Sequence, residues 1–379
     1  MKILIAPDKF KGALNAREVA ENIAKGLRDT LPDAKIDIVP MADGGEGTAE
    51  AICEARGGSW LKCKAHDAFG REIEARYAWI KDGKLVVMEM SEAAGMRRLS
   101  ESERDPVRTT TFGVGEMILN AADRGANEII IGLGGSATND GGWGLARALG
   151  FRFDYEHPPS PGFGAAREQE KNRESVTGLV DLSRIEKPHE LNLPKIIAAV
   201  DVQNPLLGEN GATRVFGPQK GASEDDLNLL EQALTRLADV VAKEFGCDYR
   251  DRPGTGAAGG LGFGLMSFCG GTIRPGFDVV AEAVGLESKM KGVDIVITGE
   301  GSLDRQTLEG KTPAGVARLA RKLGKKVFAI AGRYDGNQQV HELFDEIYQL
   351  ARSDMSEKEQ MKRAGELLHE KAREIAQEL

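Results

Sequence analysis

The sequence has few cysteines and histidines, and none of them is spaced as metal ligands are. The four cysteines are Cys53, Cys63, Cys247 and Cys269, and none of them forms a C-x-x-C pair or stands beside a histidine. This pattern argues against both a zinc site and a disulfide framework. The motif G-x-S-x-G is also absent, so nothing supports a serine hydrolase.

Long apolar runs and clusters of positive charge are lacking as well. The chain has 379 residues, with 50 Lys+Arg against 59 Asp+Glu, and a formal net charge of -9 at pH 7. Without a dense basic run it lacks the charge that nucleic-acid backbones require. No apolar stretch approaches a membrane span, and the segment before Pro7 is too short for a signal peptide. We therefore expect a cytoplasmic protein with neither nucleic acid nor membrane as a partner.

The two ends of the chain share one pattern of strands and helices. Residues 3–6 and 35–40 are predicted strands, and each is followed by a loop and a helix; Asn15 and Glu18 form a capping box for the first helix. The same pattern returns near the end. Strands are predicted at 293–298, 326–330 and 346–350, and helices are predicted to begin at Thr312-Pro313 and at Ser356, the last with one apolar stripe running from Met361 to Leu379.

The middle of the chain follows a different pattern. Segments 60–65, 73–80 and 85–90 alternate as strands, and Asp82-Gly83 is typical of a hairpin turn. The polar stretch 155–175 is predicted to be a surface loop. At roughly 150 residues per domain, the length favours two domains.

We therefore predict an α/β fold of two domains. One is a doubly wound, flavodoxin- or Rossmann-like domain with a parallel sheet, built from residues 1–59 plus 290–379, and a mixed α/β domain of residues 60–289 is inserted into it. The expected strand order is two, one, three, four, five, which places the ligand-binding switch point between the first strand and the strand at 293–298. The cleft between the domains is the default site.

Charged residues and glycines collect at the predicted carboxyl ends of these strands. They are Asp8, Lys9 and Lys11 after the first strand, Asp43 and Glu46 in the loop after the second, and Glu300 after the strand at 293–298. Such a mixture suits a metal-bound polyphosphate. Two simpler explanations stay open: the lysines are solvated loop charges, or Asp43 and Glu46 only cap the following helix.

The segment 299–312 ends in Gly-Lys-Thr but is not a Walker A motif, because Arg305 stands where a P-loop needs glycine. Lys311 and the following helix could still lie near an anion. The alternative is that Thr312 serves only as an N-cap.

A second glycine-rich loop follows the apolar strand 129–131. Residues 132–137 satisfy G-x-G-x-x-A, and Asp154 lies near the spacing of a ribose-binding acid, which is the basis of an NAD-dependent oxidoreductase as an alternative function. The sequence Asn139-Asp140-Gly-Gly delays the next helix, however. A loop of backbone donors for phosphate or carboxylate is therefore favoured, and glycines that only form tight turns are the third explanation.

A carboxylate ends another predicted strand, at 198–202. Asp201 is followed by Asn204-Pro205-Leu206, and a carboxylate at such a position can accept a proton from a substrate hydroxyl. It can equally form an Asx turn with the backbone that follows.

Several strings together resemble the class II glycerate kinase family. They include APDKFKGAL, MADGGEGTAEA, GLGGSATNDGG, DVQNPLLG, VFGPQKGA and VITGEGSLDRQT, in order and spacing, and the resemblance covers Met1 to about Gly332. It implies a kinase that uses ATP and magnesium to phosphorylate D-glycerate, usually to 2-phosphoglycerate and otherwise to 3-phosphoglycerate, on two domains of which one is inserted into the other. It also implies Asp201 as the proton acceptor. The sequence departs from the family pattern at residues 155–195, at 333–349 and at Lys9, where the family often has Ser.

Asp201 and Lys11 are predicted catalytic residues, and Glu300 and Asp304 are predicted metal ligands. Substrate or nucleotide binding is predicted for Asp8, Lys9, Asp43, Glu46, Gly134, Gly135, Ser136, Asn139, Asp140, Asn204, Lys220, Gln306 and Lys311. Besides the oxidoreductase, two alternatives remain open: a non-catalytic protein that binds glycerate or nucleotide, and a sugar-acid kinase of altered specificity. The sequence does not fix the oligomeric state.

Overall fold

The computed structural model describes residues 1–156 and 175–379. These residues form two compact units, Met1–Gly57 with Pro275–Leu379, and Gly58–Arg274. The second boundary was expected at residue 290 and lies instead at Pro275. The reason is that the helix Gly276–Ala283 packs against Thr48–Ala55 and Thr312–Lys322 of the first unit.

The bounds of the elements are as follows. The strands are β1 Lys2–Ile5, β2 Lys35–Ile38, β3 Ser59–His66, β4 Glu72–Ile80, β5 Leu85–Glu89, β6 Glu128–Gly132, β7 Arg152–Tyr155, β8 Leu182–Glu186, β9 Lys195–Val200, β10 Thr272–Pro275, β11 Ile295–Leu303, β12 Lys326–Tyr334 and β13 Glu346–Gln349. The helices are α1 Ala16–Thr30, α2 Thr48–Ala55, α3 Ser91–Ala94, α4 Phe112–Asp123, α5 Trp143–Ala148, α6 Ala212–Phe216, α7 Glu224–Phe245, α8 Ala257–Cys269, α9 Gly276–Ala283, α10 Leu286–Lys291, α11 Thr312–Lys322, α12 Gln338–His341, α13 Glu357–Lys362 and α14 Ala364–Glu378.

The first unit is built on a five-stranded parallel sheet. Its strand order is β2-β1-β11-β12-β13, so the predicted order is confirmed. Ile3 pairs with Ile36 on one side and with Ile295 on the other, and its side chain is fully buried. Continuous apolar strands are what a sheet covered on both faces requires.

One strand of this sheet is longer than predicted. β11 continues through Gly299 and Glu300 to Leu303, because β12 also extends and pairs with it as far as Tyr334. Glu300 was expected in a loop and instead lies within the sheet. Its side chain therefore has a fixed direction set by the strand.

Two long helices of this unit pack closely on each other. The predicted capping box of α1 is present, with Asn15 and Glu18 exchanging hydrogen bonds. A β-carbon at Gly26 would lie 2.2 Å from the backbone oxygen of His369, so only glycine permits this helix contact. The single last helix that we predicted is in fact α13 and α14, separated at Arg363, which has non-helical backbone angles.

The second unit contains a six-stranded mixed sheet of order β10-β9-β6-β5-β4-β3. β3, β4 and β5 are antiparallel, and the predicted turn at Asp82-Gly83 joins β4 to β5 with Gly83 at a φ of 75°. β5, β6 and β9 run parallel, with Glu89 beside Gly132 and Gly132 beside Ala199. Their carboxyl ends therefore meet at one edge of the sheet, and three loops leave from that edge.

The remaining predictions from the sequence concern a loop, membrane spans and the cysteines. Most of the loop predicted at 155–175 lies outside the described residues; Tyr155 itself ends β7. None of the described helices has the length and apolar character needed to cross a membrane. The four cysteines are free thiols.

Candidate active site

Asp8 lies just after β1, an interior strand of the first unit's sheet, and is almost completely buried. One carboxylate oxygen accepts a hydrogen bond from the hydroxyl of Thr312 at 2.6 Å, and the other accepts from the backbone N–H of Lys9 at 2.6 Å. Burial, together with the charge of Asp43, raises the pKa of Asp8 to about 7. The group is therefore poised between its two protonation states near neutral pH.

Glu300 lies on the neighbouring strand β11 and is also buried. It accepts a hydrogen bond from the hydroxyl of Thr307 at 2.9 Å, and the Lys311 ammonium lies 4.0 Å from its other oxygen. Burial raises the pKa of Glu300 to about 7, an effect that Lys311 opposes and that the charges of Asp8 and Asp43 increase. The three carboxylates therefore act on one another.

Asp43 belongs to the loop between β2 and α2, where it accepts a hydrogen bond from the N–H of Gly45 at 3.2 Å. In the same loop the backbone oxygen of Glu46 accepts a hydrogen bond from the ammonium of Lys9. The N-cap of α2 is Gly47, with a left-handed backbone and no side-chain cap. The alternative that Asp43 and Glu46 cap this helix is therefore wrong.

The loop before α11 differs from the sequence interpretation. The N-cap of α11 is Lys311, and the hydroxyl of Thr312 is directed to Asp8 rather than to the helix terminus. Asp304 instead caps a short 3-10 helix, Arg305–Glu309, by accepting from the N–H of Gln306 at 2.9 Å. The structure thus brings Glu300 together with Asp8 and Asp43, whereas the Asp304 carboxylate is engaged as a cap.

The charged group around Asp8 has a donor set that suits a nucleotide-bound magnesium ion. Among the residues that the structure describes, no group of three or more His, Cys, Asp or Glu side chains is arranged to hold a metal ion by itself. Magnesium, however, commonly takes only one or two protein carboxylates and completes its shell with phosphate and water. Asp8, Asp43 and Glu300 supply such carboxylates, and a nearby cation would relieve their mutual repulsion.

The glycine-rich loop of the second unit follows β6, as predicted. Gly134 is half-buried and Gly135 is exposed with a φ of 72°, while Ser136 is buried. Helix α5 begins only at Trp143, well beyond the glycines, and spans six residues. A dinucleotide fingerprint needs the helix to start at the glycine turn.

Asp154 does not occupy the position of a ribose-binding acid either. It lies on β7, which pairs with β8 in a separate two-stranded sheet. In a dinucleotide-binding unit the acid follows a strand of the same parallel sheet. Both structural requirements of the NAD alternative are therefore missing.

Asp140 lies in the interior of this unit, immediately after the loop. Its carboxylate accepts hydrogen bonds from the N–H and hydroxyl of Thr111, at 2.8 and 2.9 Å, and from the N–H groups of Gly142 and Gly144, both at 3.1 Å. Burial raises the pKa of Asp140, although these hydrogen bonds oppose the shift. Asp140 therefore joins the glycine loop to the start of α4.

Lys220 and Asn139 are buried around the same segment. The ammonium of Lys220 donates to the backbone oxygen of Thr138 at 2.7 Å, and the amide of Asn139 donates to the hydroxyl of Thr213 at 2.9 Å. Burial lowers the pKa of Lys220 to about 7, while the charge of Asp140 acts in the opposite direction. In this structure these side chains contact the backbone and neighbours of the glycine loop.

Asp201 follows the end of β9 and is exposed. The strand ends at Val200, earlier than predicted. Asn204 donates to the backbone oxygen of Asn210 at 2.7 Å, which closes the turn after Asp201. Lys11 is also exposed, in the loop after β1. Both predicted catalytic side chains are thus accessible to solvent.

Comparisons with known proteins agree over nearly the whole chain. The model of the Glycerate kinase family matches residues 3–379. The chain belongs to the glycerate kinase family. A glycerate 2-kinase of Escherichia coli (strain K12) is 44% identical over 88% of this chain and 85% of its own length, and a glycerate kinase of Halalkalibacterium halodurans is 40% identical over 99% and 97%. The crystal structure of a candidate glycerate kinase 2 from Salmonella typhimurium LT2 superposes with a TM-score of 0.85 at 38% identity, covering 100% of this chain and 98% of that one.

Family membership excludes one of the alternative functions. Glycerate kinases are phosphotransferases, so the predicted enzyme class is confirmed and the NAD-dependent oxidoreductase is wrong. The family resemblance stated from the sequence strings is confirmed as well.

Two groups of residues in this member of the glycerate kinase family were not predicted from the sequence to form contacts near the loops. Thr312 was considered only as an alternative N-cap, and its contact with Asp8 joins residues 304 positions apart. The second group is Glu92 with its arginine partners, after β5. None of the family strings identified in the sequence covers that segment, and its sequence signal was two adjacent arginines, Arg97 and Arg98, that follow Gly95-Met96.

Proposed function

We propose that the chain transfers the γ-phosphoryl group of ATP to a hydroxyl of D-glycerate, giving ADP and 2-phosphoglycerate. The observation that carries the proposal is the group formed by Asp8, Asp43 and Glu300 with Lys9 and Lys311, at the carboxyl end of a doubly wound sheet. This edge is where such sheets bind ligands. The name of the Escherichia coli relative, glycerate 2-kinase, favours the 2-hydroxyl over the 3-hydroxyl.

In this proposal, the acidic group of the first unit (Asp8, Asp43 and Glu300) binds the metal-bound phosphates of ATP. Magnesium supplies charge neutralisation on the phosphoryl oxygens. Asp8 and Glu300 must lose their protons to hold a cation, and their pKa of about 7 permits this at neutral pH. Lys311 and Lys11 add positive charge for the phosphate oxygens.

Asp201 is proposed to accept the proton of the glycerate hydroxyl as the oxygen attacks the γ-phosphorus. The bond between the γ-phosphorus and the bridging oxygen breaks, and ADP leaves with the electron pair. Backbone N–H groups of Gly134 to Ser136 then stabilise charge on the transferred group. An exposed carboxylate at a strand end can reach a substrate hydroxyl.

The test compares the wild-type protein with Asp201→Asn. Purified protein is mixed with D-glycerate, ATP and magnesium; ADP release is followed, and the product is identified by phosphorus NMR. We expect glycerate-dependent ADP and a 2-phosphoglycerate signal, with turnover at least about a hundredfold lower in Asp201→Asn. Asp225→Asn, an exposed acid on α7, is the control and should keep wild-type turnover.

Each other result contradicts a defined part of the proposal. A 3-phosphoglycerate signal would move the reaction to the other hydroxyl. Near-normal turnover in Asp201→Asn would remove Asp201 from its role. Binding of ATP or D-glycerate without any ADP release would favour the non-catalytic alternative, and ADP release that needs a different acid would indicate a sugar-acid kinase of altered specificity.

A further inference from the structure

Three arginine side chains converge on one buried carboxylate after β5. Arg97 lies 2.6 Å from Glu92, and Arg76 and Arg98 each lie 3.3 Å from it. Glu92 is 8% exposed, whereas the three arginine side chains are partly exposed. One carboxylate balances one guanidinium, so the cluster keeps two formal positive charges that Glu92 does not neutralise.

The backbone fixes the orientation of two of these arginines. Arg97 donates from Nε to the backbone oxygen of Ser91 at 3.1 Å, and Arg98 donates from Nε to the backbone oxygen of Glu92. Arg76 differs, since it comes from β4 and its guanidinium stacks over the ring of Trp60 at 4.3 Å. Arg98 also donates to the backbone oxygen of Glu74 on β4 at 3.4 Å, so backbone oxygens preorganise both arginines.

This turn is joined to the glycine-rich loop. The N–H of Met96 donates to the oxygen of Gly135 at 2.9 Å, and the N–H of Ala137 donates to the oxygen of Ala94 at 2.9 Å. Arg97 follows Met96 directly, so its Cα lies within about 8 Å of the Gly135 oxygen. The arginine turn and the glycine-rich loop are therefore neighbours through their backbones.

The same edge of the sheet carries the proposed proton acceptor. β5, β6 and β9 are parallel neighbours, and their carboxyl ends lead to the arginine turn, the glycine loop and Asp201 respectively. Three loops at one edge of this sheet thus carry positive charge, backbone N–H donors and a carboxylate. D-glycerate carries the complementary groups, a carboxylate at one end and hydroxyls one and two carbons away.

We propose that Arg97 and Arg98 bind the carboxylate of the acceptor and so select an organic acid over a neutral polyol. This inference rests on the proposed function. Guanidinium groups bind planar oxyanions through paired N–H donors, and this geometry suits a carboxylate. The ATP phosphates share this chemistry, and the two ligands are separated by the experiment below.

The experiment measures KM for D-glycerate, KM for ATP and kcat for the wild type, Arg97→Gln, Arg98→Gln and Arg97→Lys. For Arg97→Gln and Arg98→Gln we expect KM for D-glycerate to rise roughly 10- to 100-fold, because each variant loses one charged hydrogen bond to the substrate. KM for ATP and kcat should stay within about twofold. Arg97→Lys should recover part of the affinity, because charge is kept but the paired donors are lost.

Arg76→Gln is the matched control, because it removes an ion pair to the same carboxylate. It should leave KM for D-glycerate within about twofold of the wild type. Equal effects of Arg76→Gln and Arg97→Gln would show that the cluster only secures the turn, and would overturn the inference. A rise in KM for ATP instead would assign the arginines to phosphate, which also overturns it.

Calorimetric titration with D-glycerate separates this inference from the proposed function. Wild-type binding without turnover would refute phosphoryl transfer to glycerate, and the dissociation constants of the same variants would still decide the role of Arg97 and Arg98. Absence of wild-type binding would overturn both. Turnover with an unchanged KM in Arg97→Gln and Arg98→Gln would leave the kinase function standing and overturn only the inference.

Discussion

Replacing Asp8 by asparagine should stabilise the first unit at pH 8 while abolishing turnover. The pKa of Asp8 is raised from 3.8 to about 7, mainly by burial and by Asp43. Ionising the folded-state carboxyl above pH 7 therefore costs on the order of 4 kcal/mol relative to the unfolded chain. A neutral amide of the same shape avoids this cost and can still accept from Lys9 and donate to Thr312.

The size of the gain should depend on pH in a defined direction. Between pH 3.8 and about 7 the folded state holds the Asp8 proton and the unfolded state does not, so wild-type stability falls as pH rises through this window. Asp8→Asn lacks this dependence. Its stability advantage over the wild type should be about 3 kcal/mol larger at pH 8 than at pH 5.

Urea unfolding followed by circular dichroism at pH 5 and pH 8 measures this difference. Asp37→Asn, an exposed acid on β2, is the control, and we expect it to change stability by less than about 0.5 kcal/mol at both pH values. An equal effect of Asp8→Asn at the two pH values would refute the argument that the buried carboxylate is costly. Turnover retained by Asp8→Asn would separately remove Asp8 from phosphate and metal binding.

Two other substitutions test the packing and the electrostatics of the same group. A β-carbon at Gly276 would lie 1.7 Å from the backbone oxygen of Asp43, so Gly276→Ala should cost at least about 2 kcal/mol in thermal unfolding, whereas Gly292→Ala, whose nearest contact is 3.7 Å, should cost far less. The hydrogen bond from Thr312 lowers the pKa of Asp8; Thr312→Val should therefore move the acid limb of the kcat/KM profile to higher pH by about one unit, and Thr312→Ser should not. An unchanged profile in Thr312→Val would mean that Asp8 does not have to be ionised for activity.

The sheet of the first unit was predictable because its information is local. Apolar runs of four to six residues, the Asn15 capping box and the return of the same pattern near the end were sufficient for the strand order. The extension of β11 to Leu303 was not predictable in this way. Residues 299–303 are polar and glycine-rich, and they become a strand only because β12 pairs with them.

The site itself was predictable as a set of residues but not as a set of contacts. Asp8, Asp43 and Glu300 were identified from their places after strands, yet the partner of Asp8 is Thr312, which lies beyond the inserted unit in sequence. The Glu92 cluster has the same origin, since Arg76 comes from a different strand of the sheet. Pairings of this kind arise from tertiary packing, which periodicity and turn signals do not encode.

The position of β1 between β2 and β11 has a consequence for synthesis on the ribosome. β1 pairs with β11 through Ile3 and Ile295, so the amino-terminal strand must wait for a partner that is translated 292 residues later. At roughly 5 to 20 residues per second, this delay lasts roughly 15 to 60 s. During that time all of Gly58–Arg274 emerges and can fold first, while one edge of β1 remains open to pairing with other chains. Nascent chains stalled before residue 295 should therefore depend on chaperones that cover this edge.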